Sequence, residues 1–307
     1  MIPNNIDPRL GQLLAEPGVT DVLLSGVTGC WVSRGATIEP RPSPFSEPAD
    51  LDRVAVELIS SGGRRLDAAN PFADIVVGDV RIHAVLKSAC SSVTQLSVRF
   101  LGERQRALSE LSAAGMFGDP MLVGLQQLVA ERQNFLICGP TGAGKTTLLR
   151  ALLLECANQR IVTIEDLPEL RLGGASVELL ARQANVEGRG EVGLSRLLVE
   201  ALRMRPDRIV VGELRSAELL VLLQALNTGH AGSGATLHAN SLEDVPARLH
   251  SIALLAGVSN EQLDSMIVSC INWVIQVGFD SRTGARRVIG VGRLVRVDGR
   301  LQVEAVT

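Results

Sequence analysis

Two patterns of apolar and polar positions divide the chain. Up to about residue 100, short strand-like runs surround one helical stretch. The runs are VTDVLLSG, CWVSRGATI, FADIVVGDVRIHAVL with a Gly78-Asp79 hairpin signal, and VTQLSVRF. In ADLDRVAVELISS the apolar residues Leu51, Val54, Ala55, Leu58 and Ile59 recur at helical spacing and predict one face packed on those strands. From residue 134 onward, NFLIC, RIVTI, RIVV and GATL alternate with longer helical stretches, the pattern of a parallel sheet with crossover helices. The helix in EVGLSRLLVEALRMRP stops at Pro206, and SLEDVPARL and SNEQLDSMIV each open with a serine cap pattern. INWVIQVGF, RRVIGVGRLVRV and RLQVEAV predict a terminal antiparallel meander. The expected organisation is a small amino-terminal α/β domain (1–102), a charged and Gly-containing linker (103–120) and a larger α/β domain with a mostly parallel sheet (121–307).

The chemistry lies at the carboxyl ends of these four apolar runs. A Gly-rich loop leaves the first, Glu165-Asp166 ends the second, Glu213 the third and His238 the fourth. Ligands of an open α/β sheet bind outside the carboxyl ends of its strands, so these four tips are expected to line one site. GPTGAGKTT fits the phosphate-binding loop G-x-x-x-x-G-K-[ST], with a strand before it and a helix after it. Gly139, Pro140, Thr141, Gly142, Ala143, Gly144, Lys145, Thr146 and Thr147 are the expected nucleotide-binding residues. Backbone N–H groups would curl round the β-phosphate, Lys145 would reach the β/γ oxygens, and the Thr146 hydroxyl would face Mg²⁺. A phosphoryl-transfer site also needs carboxylates to hold the metal and orient the attacking water. Glu213 is read as the base, with Glu165 and Asp166 organising metal and water, Asp166 as the metal ligand; on sequence alone the roles of Glu165 and Glu213 are exchangeable. His238, at a strand tip, is read as a γ-phosphate sensor. His230 in the Gly-rich stretch before it is left between a functional and a structural role, and His83 and His250 are read as ordinary histidines.

Composition narrows the partners. The net charge of −3 argues against a protein that lives on nucleic-acid phosphates, and an aromatic share of 3% with no Tyr leaves few rings for base stacking. Direct nucleic-acid binding is therefore not expected. Five cysteines, at 30, 90, 138, 156 and 270, have neither zinc spacing nor an even count and read as reduced thiols. The first residues lack a basic start with an apolar stretch, and no run approaches the ~18 apolar residues of a membrane span. The expected location is the cytoplasm, with membrane attachment only through partners.

GPTGAGKTT, TIEDLPEL, ALRMRPDRIVVGELR and NTGHAGSGATLHANS, in that order, resemble the Walker A, Asp-box, Walker B and His-box regions of the type II/type IV secretion ATPase superfamily. Within it the chain resembles the tight-adherence pilus ATPases and the conjugal-transfer-associated ATPases of actinobacteria. The resemblance spans about residues 80–280. It implies a RecA-like P-loop ATPase domain, ATP and Mg²⁺ as ligands, and a hexameric homo-oligomer. It also implies an amino-terminal domain that closes over ATP and an integral-membrane platform protein as partner at the inner face of the plasma membrane. GELRS stands where GEVRG is commoner, which leaves open the machine served. An arginine is expected to complete the charge balance. Arg81, which alternates with buried-type residues in VRIHAVL, and Arg99, which the resemblance places near the nucleotide, are the first candidates; Arg203 and Arg215, flanking the Walker B strand, are the second. The leading expectation is an ATP-hydrolysing motor of pilus assembly or secretion. The alternatives are a DNA-translocating conjugation ATPase and a nucleotide-gated scaffold with little turnover. A small-molecule kinase explains neither the His-box nor the amino-terminal domain.

Overall fold

A computed structural model describes residues 6–34, 37–88, 90–101, 106–156, 158–182 and 190–306, with the side chain of Leu255 excepted. The chain divides into two compact units, Met1–Arg104 and Gln105–Thr307. The first contains α1 (Pro8–Leu14), β1 (Asp21–Ser25), β2 (Gly29–Arg34), β3 (Thr37–Pro40), α2 (Pro48–Ser61), β4 (Phe72–Val77), β5 (Val80–Val85) and β6 (Gln95–Phe100). Its strands form an antiparallel sheet in the order β3-β2-β1-β6-β5-β4, with β4 and β5 joined through Gly78-Asp79. Alternation sends Val80, Ile82, Ala84, Leu96 and Val98 to one face, where they meet Leu51, Val54, Ala55, Leu58 and Ile59 of α2. Those five α2 residues are the face that the periodicity predicts.

The second unit contains α3 (Leu108–Ala113), α4 (Asp119–Ala130), β7 (Phe135–Cys138), α5 (Lys145–Leu154), β8 (Ile161–Glu165), β9 (Val177–Leu180) and α6 (Leu194–Ala201). After these come β10 (Arg208–Leu214), α7 (Glu218–Asn227), β11 (Gly234–Leu237), α8 (Val245–Leu255), α9 (Asn260–Cys270), β12 (Trp273–Phe279), β13 (Arg286–Val297) and β14 (Arg300–Ala305). The sheet order is β14-β13-β12-β7-β11-β10-β8-β9. Pairing is parallel from β9 through β12, and the terminal meander joins it by pairing β12 in parallel with β7 and then β13 and β14 antiparallel. Both faces are covered, which is why the strands read as unbroken apolar runs. Leu136, Val162, Ile209, Val211 and Ala235 face a core with α6 to α9, whereas Phe135, Ile137, Ile161 and Val210 face one with α3 to α5.

Two expectations change. Of the expected linker, 102–105 lie outside the described residues, but Leu108, Leu111, Met116 and Phe117 are buried in the second core with α4 and α5. Small and Gly residues between these apolar positions disguise two helical contacts as a connector. In SLEDVPARL, Ser241 accepts from the Asp244 N–H at 3.3 Å and shapes a turn before α8, which begins at Val245. Ser259, by contrast, caps α9 at its first turn by accepting from the Gln262 N–H.

Candidate functional site

Because β7, β8, β10 and β11 are parallel neighbours, their carboxyl ends lie on one edge of the sheet. The Gly-rich loop leaves β7 there. Gly139 has φ +149°, and a Cβ at that position would lie 2.1 Å from the carbonyl oxygen of Val277, so only glycine lets the loop pass β12. Gly144, at φ +98°, turns the loop into α5. Lys145, 8% exposed, donates through Nζ to the carbonyls of Gly139 (2.8 Å) and Pro140 (3.0 Å), and lies 3.2 Å from Nδ1 of His238.

An ammonium has no lone pair, so Nδ1 of His238 accepts, and its Nε2–H donates to Oε1 of Glu213 at 2.8 Å. The other oxygen of Glu213 accepts from Arg215 at 2.5 Å, and Arg215 also donates to Asp166 at 2.8 Å. Lys145, His238, Glu213, Arg215 and Asp166 thus form one continuous chain of charge-assisted contacts across the four strand tips. Burial lowers the pKa of His238, and the Lys145 charge lowers it further, against the pull of Glu213. Burial likewise lowers that of Lys145, again opposed by Glu213. The turn that presents Arg215 is held by Glu218, 2% exposed, which accepts from the N–H groups of Arg215 and Ser216 and from the Ser216 hydroxyl.

Thr146 finds a partner that sequence reasoning did not single out. Its Oγ1 donates to Oε2 of Glu169 at 3.0 Å. Glu169 lies in the loop after β8, four residues beyond Glu165, where nothing in the local pattern sets it apart from a solvated loop carboxylate. The one signal for it is the recurrence of a third acid in TIEDLPEL. Glu165, read from sequence as a metal or water organiser, is 3% exposed and turns its carboxylate to the N–H groups of Glu169 (3.2 Å) and Leu170 (3.1 Å). Burial is the main cause that raises its pKa to about 8; the Leu170 N–H opposes this and the neighbouring Glu169 charge adds to it.

Arg215 enters the site, but Arg203 does not. Arg203 lies in a 3-10 turn, Leu202–Met204, at the amino end of β10, and donates to the Val199 carbonyl at 3.0 Å. The seven residues of β10 separate that end from the strand tip by roughly 20 Å. His230 is likewise at the amino end of its strand; its Nδ1 lies 3.0 Å from the Ala225 carbonyl near the end of α7. In the first unit, Arg81 and Arg99 are directly paired across β5 and β6. Arg81 contacts Asp74 at 2.6 Å and Arg99 contacts Asp21 at 2.5 Å.

Mg²⁺ prefers hard oxygen donors, and the Thr146 hydroxyl with the Glu169, Glu213 and Asp166 carboxylates is a donor set of that chemistry. The described residues include no group of three or more His, Cys, Asp or Glu preassembled as a metal centre. No described helix is long and apolar enough to cross a membrane.

The family model for type II/IV secretion system proteins matches residues 74–277. A Mycobacterium tuberculosis protein named, as a candidate, for conjugal transfer is 42% identical over 306 residues, covering 97% of this chain and 87% of its own length. The type IV secretion system protein VirB11 of Bartonella quintana is 34% identical over 204 residues, 62% of this chain and 56% of that protein. Among solved structures, the Legionella pneumophila ATPase DotB has a TM-score of 0.63 at 18% identity, covering 93% of this chain and 78% of that one. The pilus retraction motor PilT with bound ADP has a TM-score of 0.61 at 21% identity, covering 97% and 82%. The VirB11 ATPase of Brucella suis covers 93% and 95% at a TM-score of 0.51 and 23% identity. At such identities the structural likeness speaks to the fold. With two-thirds of its length matched by the family model, and the phosphate loop, Asp-box, Walker B strand tip and the His238 end of the His-box on one sheet edge, the chain belongs to the type II/IV secretion system ATPase family.

Proposed function

We propose that the protein hydrolyses ATP with Mg²⁺ and works as a motor of a secretion, pilus-assembly or conjugation machine. The observation that carries the reading is the continuous contact from Lys145 through His238 to Glu213 and Arg215, beside a phosphate loop whose Thr146 hydroxyl meets Glu169. Residues 139–147 bind the triphosphate, Lys145 exchanging its carbonyl partners for β/γ oxygens. Thr146, Glu169 and Asp166 supply oxygens to Mg²⁺, which when bound neutralises phosphate charge. Glu213 orients the attacking water and takes its proton at the oxygen now bonded to His238. His238, kept neutral by its surroundings, reports the γ-phosphate by a hydrogen bond that is lost on hydrolysis.

In this reading the working form is a hexameric homo-oligomer, cytoplasmic and attached to the inner face of the plasma membrane through an integral-membrane platform protein. Arg81 and Arg99 are kept as candidates for the completing arginine on the resemblance alone, and either would have to give up its carboxylate partner, Asp74 or Asp21, to meet phosphate. The decisive measurement is phosphate release by purified protein with and without Mg²⁺, across a concentration series followed by light scattering. Turnover that depends on Mg²⁺ and rises with assembly is expected. Release no greater than that of a Lys145→Ala control at every concentration rejects the enzyme and leaves a nucleotide-gated scaffold. The relative named for conjugal transfer favours, as second reading, a motor that moves DNA. Tight DNA binding with a steep negative salt slope supports that motor, and the acidic net charge predicts its absence.

A further inference from the structure

The end of β8 and the loop after it carry three acids with three different surroundings. Asp166 is exposed and meets Arg215, Glu169 meets the Thr146 hydroxyl, and Glu165 points back into the protein. Oε1 of Glu165 accepts from both the Glu169 and the Leu170 N–H, while Oε2 lies 3.4 Å from the latter. One carboxylate therefore closes the loop on itself, four and five residues downstream. Leu170, fully buried, anchors the far side of the closure. On the neighbouring strand, a Cβ on Gly212 would lie 3.0 Å from Cγ of Glu165, so the glycine before Glu213 is the space in which Glu165 lies.

We infer that Glu165 is a positioning residue: by tying down the amides of Glu169 and Leu170 it holds the Glu169 carboxylate on the Thr146 hydroxyl, and it touches neither nucleotide nor metal itself. The inference rests on the ATPase reading for its kinetic consequence, though not for its structural one. An acceptor at the right reach is what the role demands. Glutamine retains one, aspartate is a methylene too short, and alanine has none. Arg150, which donates to the Glu169 carbonyl, gives the loop a second tether and keeps it folded when the first is removed.

The test compares Glu165→Ala, Glu165→Gln and Glu169→Gln in the full chain. Hydrogen exchange of the peptide covering residues 166–171 is read first. Alanine is expected to speed it strongly, and glutamine to restore protection. In Mg-dependent turnover, alanine lowers kcat by about 10²-fold, the cost of misplacing a reacting group by about an ångström, and raises the Mg²⁺ needed for tight ADP binding. Glutamine rescues both, whereas Glu169→Gln loses turnover with exchange unchanged. If alanine at 165 prevents folding, Gly212→Ala, which crowds the same methylene, is expected to loosen the same peptide. Loss of turnover in Glu165→Gln equal to that of Glu169→Gln, with protection intact, overturns the inference because the charge itself is then used. Unchanged exchange in Glu165→Ala overturns it as well. The exchange measurement needs no turnover, so a protein that fails to hydrolyse ATP rejects the ATPase reading while exchange still decides what Glu165 holds.

Discussion

The two edges of the parallel sheet use similar residues to opposite ends. At the amino edge Arg208, fully buried, donates to the carbonyls of Gly232 (2.7 Å) and Val129 (2.8 Å) and to the side-chain oxygen of Gln159 (2.6 Å). Asn134 there accepts from the Gly232 and Ser233 N–H groups and donates to the Cys270 carbonyl. Every one of these contacts is to a fixed neutral group, so the edge is closed. At the carboxyl edge Lys145, also buried, shares its ammonium between two loop carbonyls and an imidazole, and the chain continues through two carboxylates and an arginine. Those partners can be exchanged for phosphate oxygens at little cost in desolvation. Both cations meet two backbone carbonyls and one side chain, so what separates them is what lies beyond: Arg208 ends on neutral groups, whereas Lys145 leads through His238 to the carboxylates of Glu213 and Asp166.

The largest effect expected from this contrast is that of Lys145→Ala. It removes the buried ammonium of the carboxyl edge and should abolish nucleotide binding or turnover, at a smaller cost in urea stability than loss of a cation at the amino edge, because two of the three contacts it breaks are only part-buried. The mirror experiment is Arg208→Ala. It orphans three acceptors, two of them in buried contacts worth about 1–3 kcal/mol each when left without a partner, and should lower unfolding free energy by about 2 kcal/mol or more. Titration with ATP and Mg²⁺ should give wild-type affinity for the folded fraction. Reversal of the two outcomes breaks the comparison.

Glu213→Gln comes next. Its amide can still meet Arg215 or His238, so calorimetry should find nucleotide binding retained, while hydrolysis falls on the order of 10²–10⁴-fold with the loss of a positioned base. If Glu169→Gln shows this behaviour and Glu213→Gln stays active, the base is the carboxylate on Thr146.

These contrasts also mark where sequence reasoning reaches and where it stops. Strand tips are legible because an apolar run must end, and the polar residue at its end is one of few in sight; Lys145, Glu213 and His238 are found that way. The face of α2 is legible through its 3.6-residue period. Partners set by loop closure are not, since Glu169 meets Thr146 across 23 positions and Glu218 secures Arg215 through a turn that has no residue signature. Direction along a strand is also hidden within a motif. NTGHAGSGATLHANS reads as one box, yet β11 runs through it and sends its two histidines to opposite edges. For Arg203 the same reason holds with β10. The segment around Met116 is misread as a connector because its buried residues are spaced by alanine and glycine.

A smaller effect, visible without nucleotide, concerns pH. Glu165 has its pKa raised from 4.5 to about 8 by burial, so between those values the folded chain holds a proton that the unfolded chain has released. This stabilisation is complete below pH 4.5 and is lost as pH rises through about 8, so unfolding free energy should fall across that window. Glu165→Gln cannot release the proton and should flatten the fall. A slope that persists in the variant assigns it to another group.

The smallest expected effect separates the two histidines of the His-box. The His230 ring meets the Ala225 carbonyl, 3.0 Å away, so His230→Gln replaces one modest hydrogen bond. A cost of about 0.5–1.5 kcal/mol in unfolding free energy, with no change in turnover, is the expectation for such a bond. His238→Ala interrupts the path from Lys145 to Glu213 at its middle. Nucleotide binding should survive, because the Lys145 ammonium keeps its loop carbonyls and its charge. Secretion or piliation by complemented cells should fall further than ATPase rate, since a sensor of the γ-phosphate acts after binding and links hydrolysis to movement. Equal losses in both assays make His238 a plain catalytic or structural residue. A turnover defect in His230→Gln as deep as that of His238→Ala removes the distinction between the edges, because a histidine satisfied by backbone at the amino end would then serve the same chemistry.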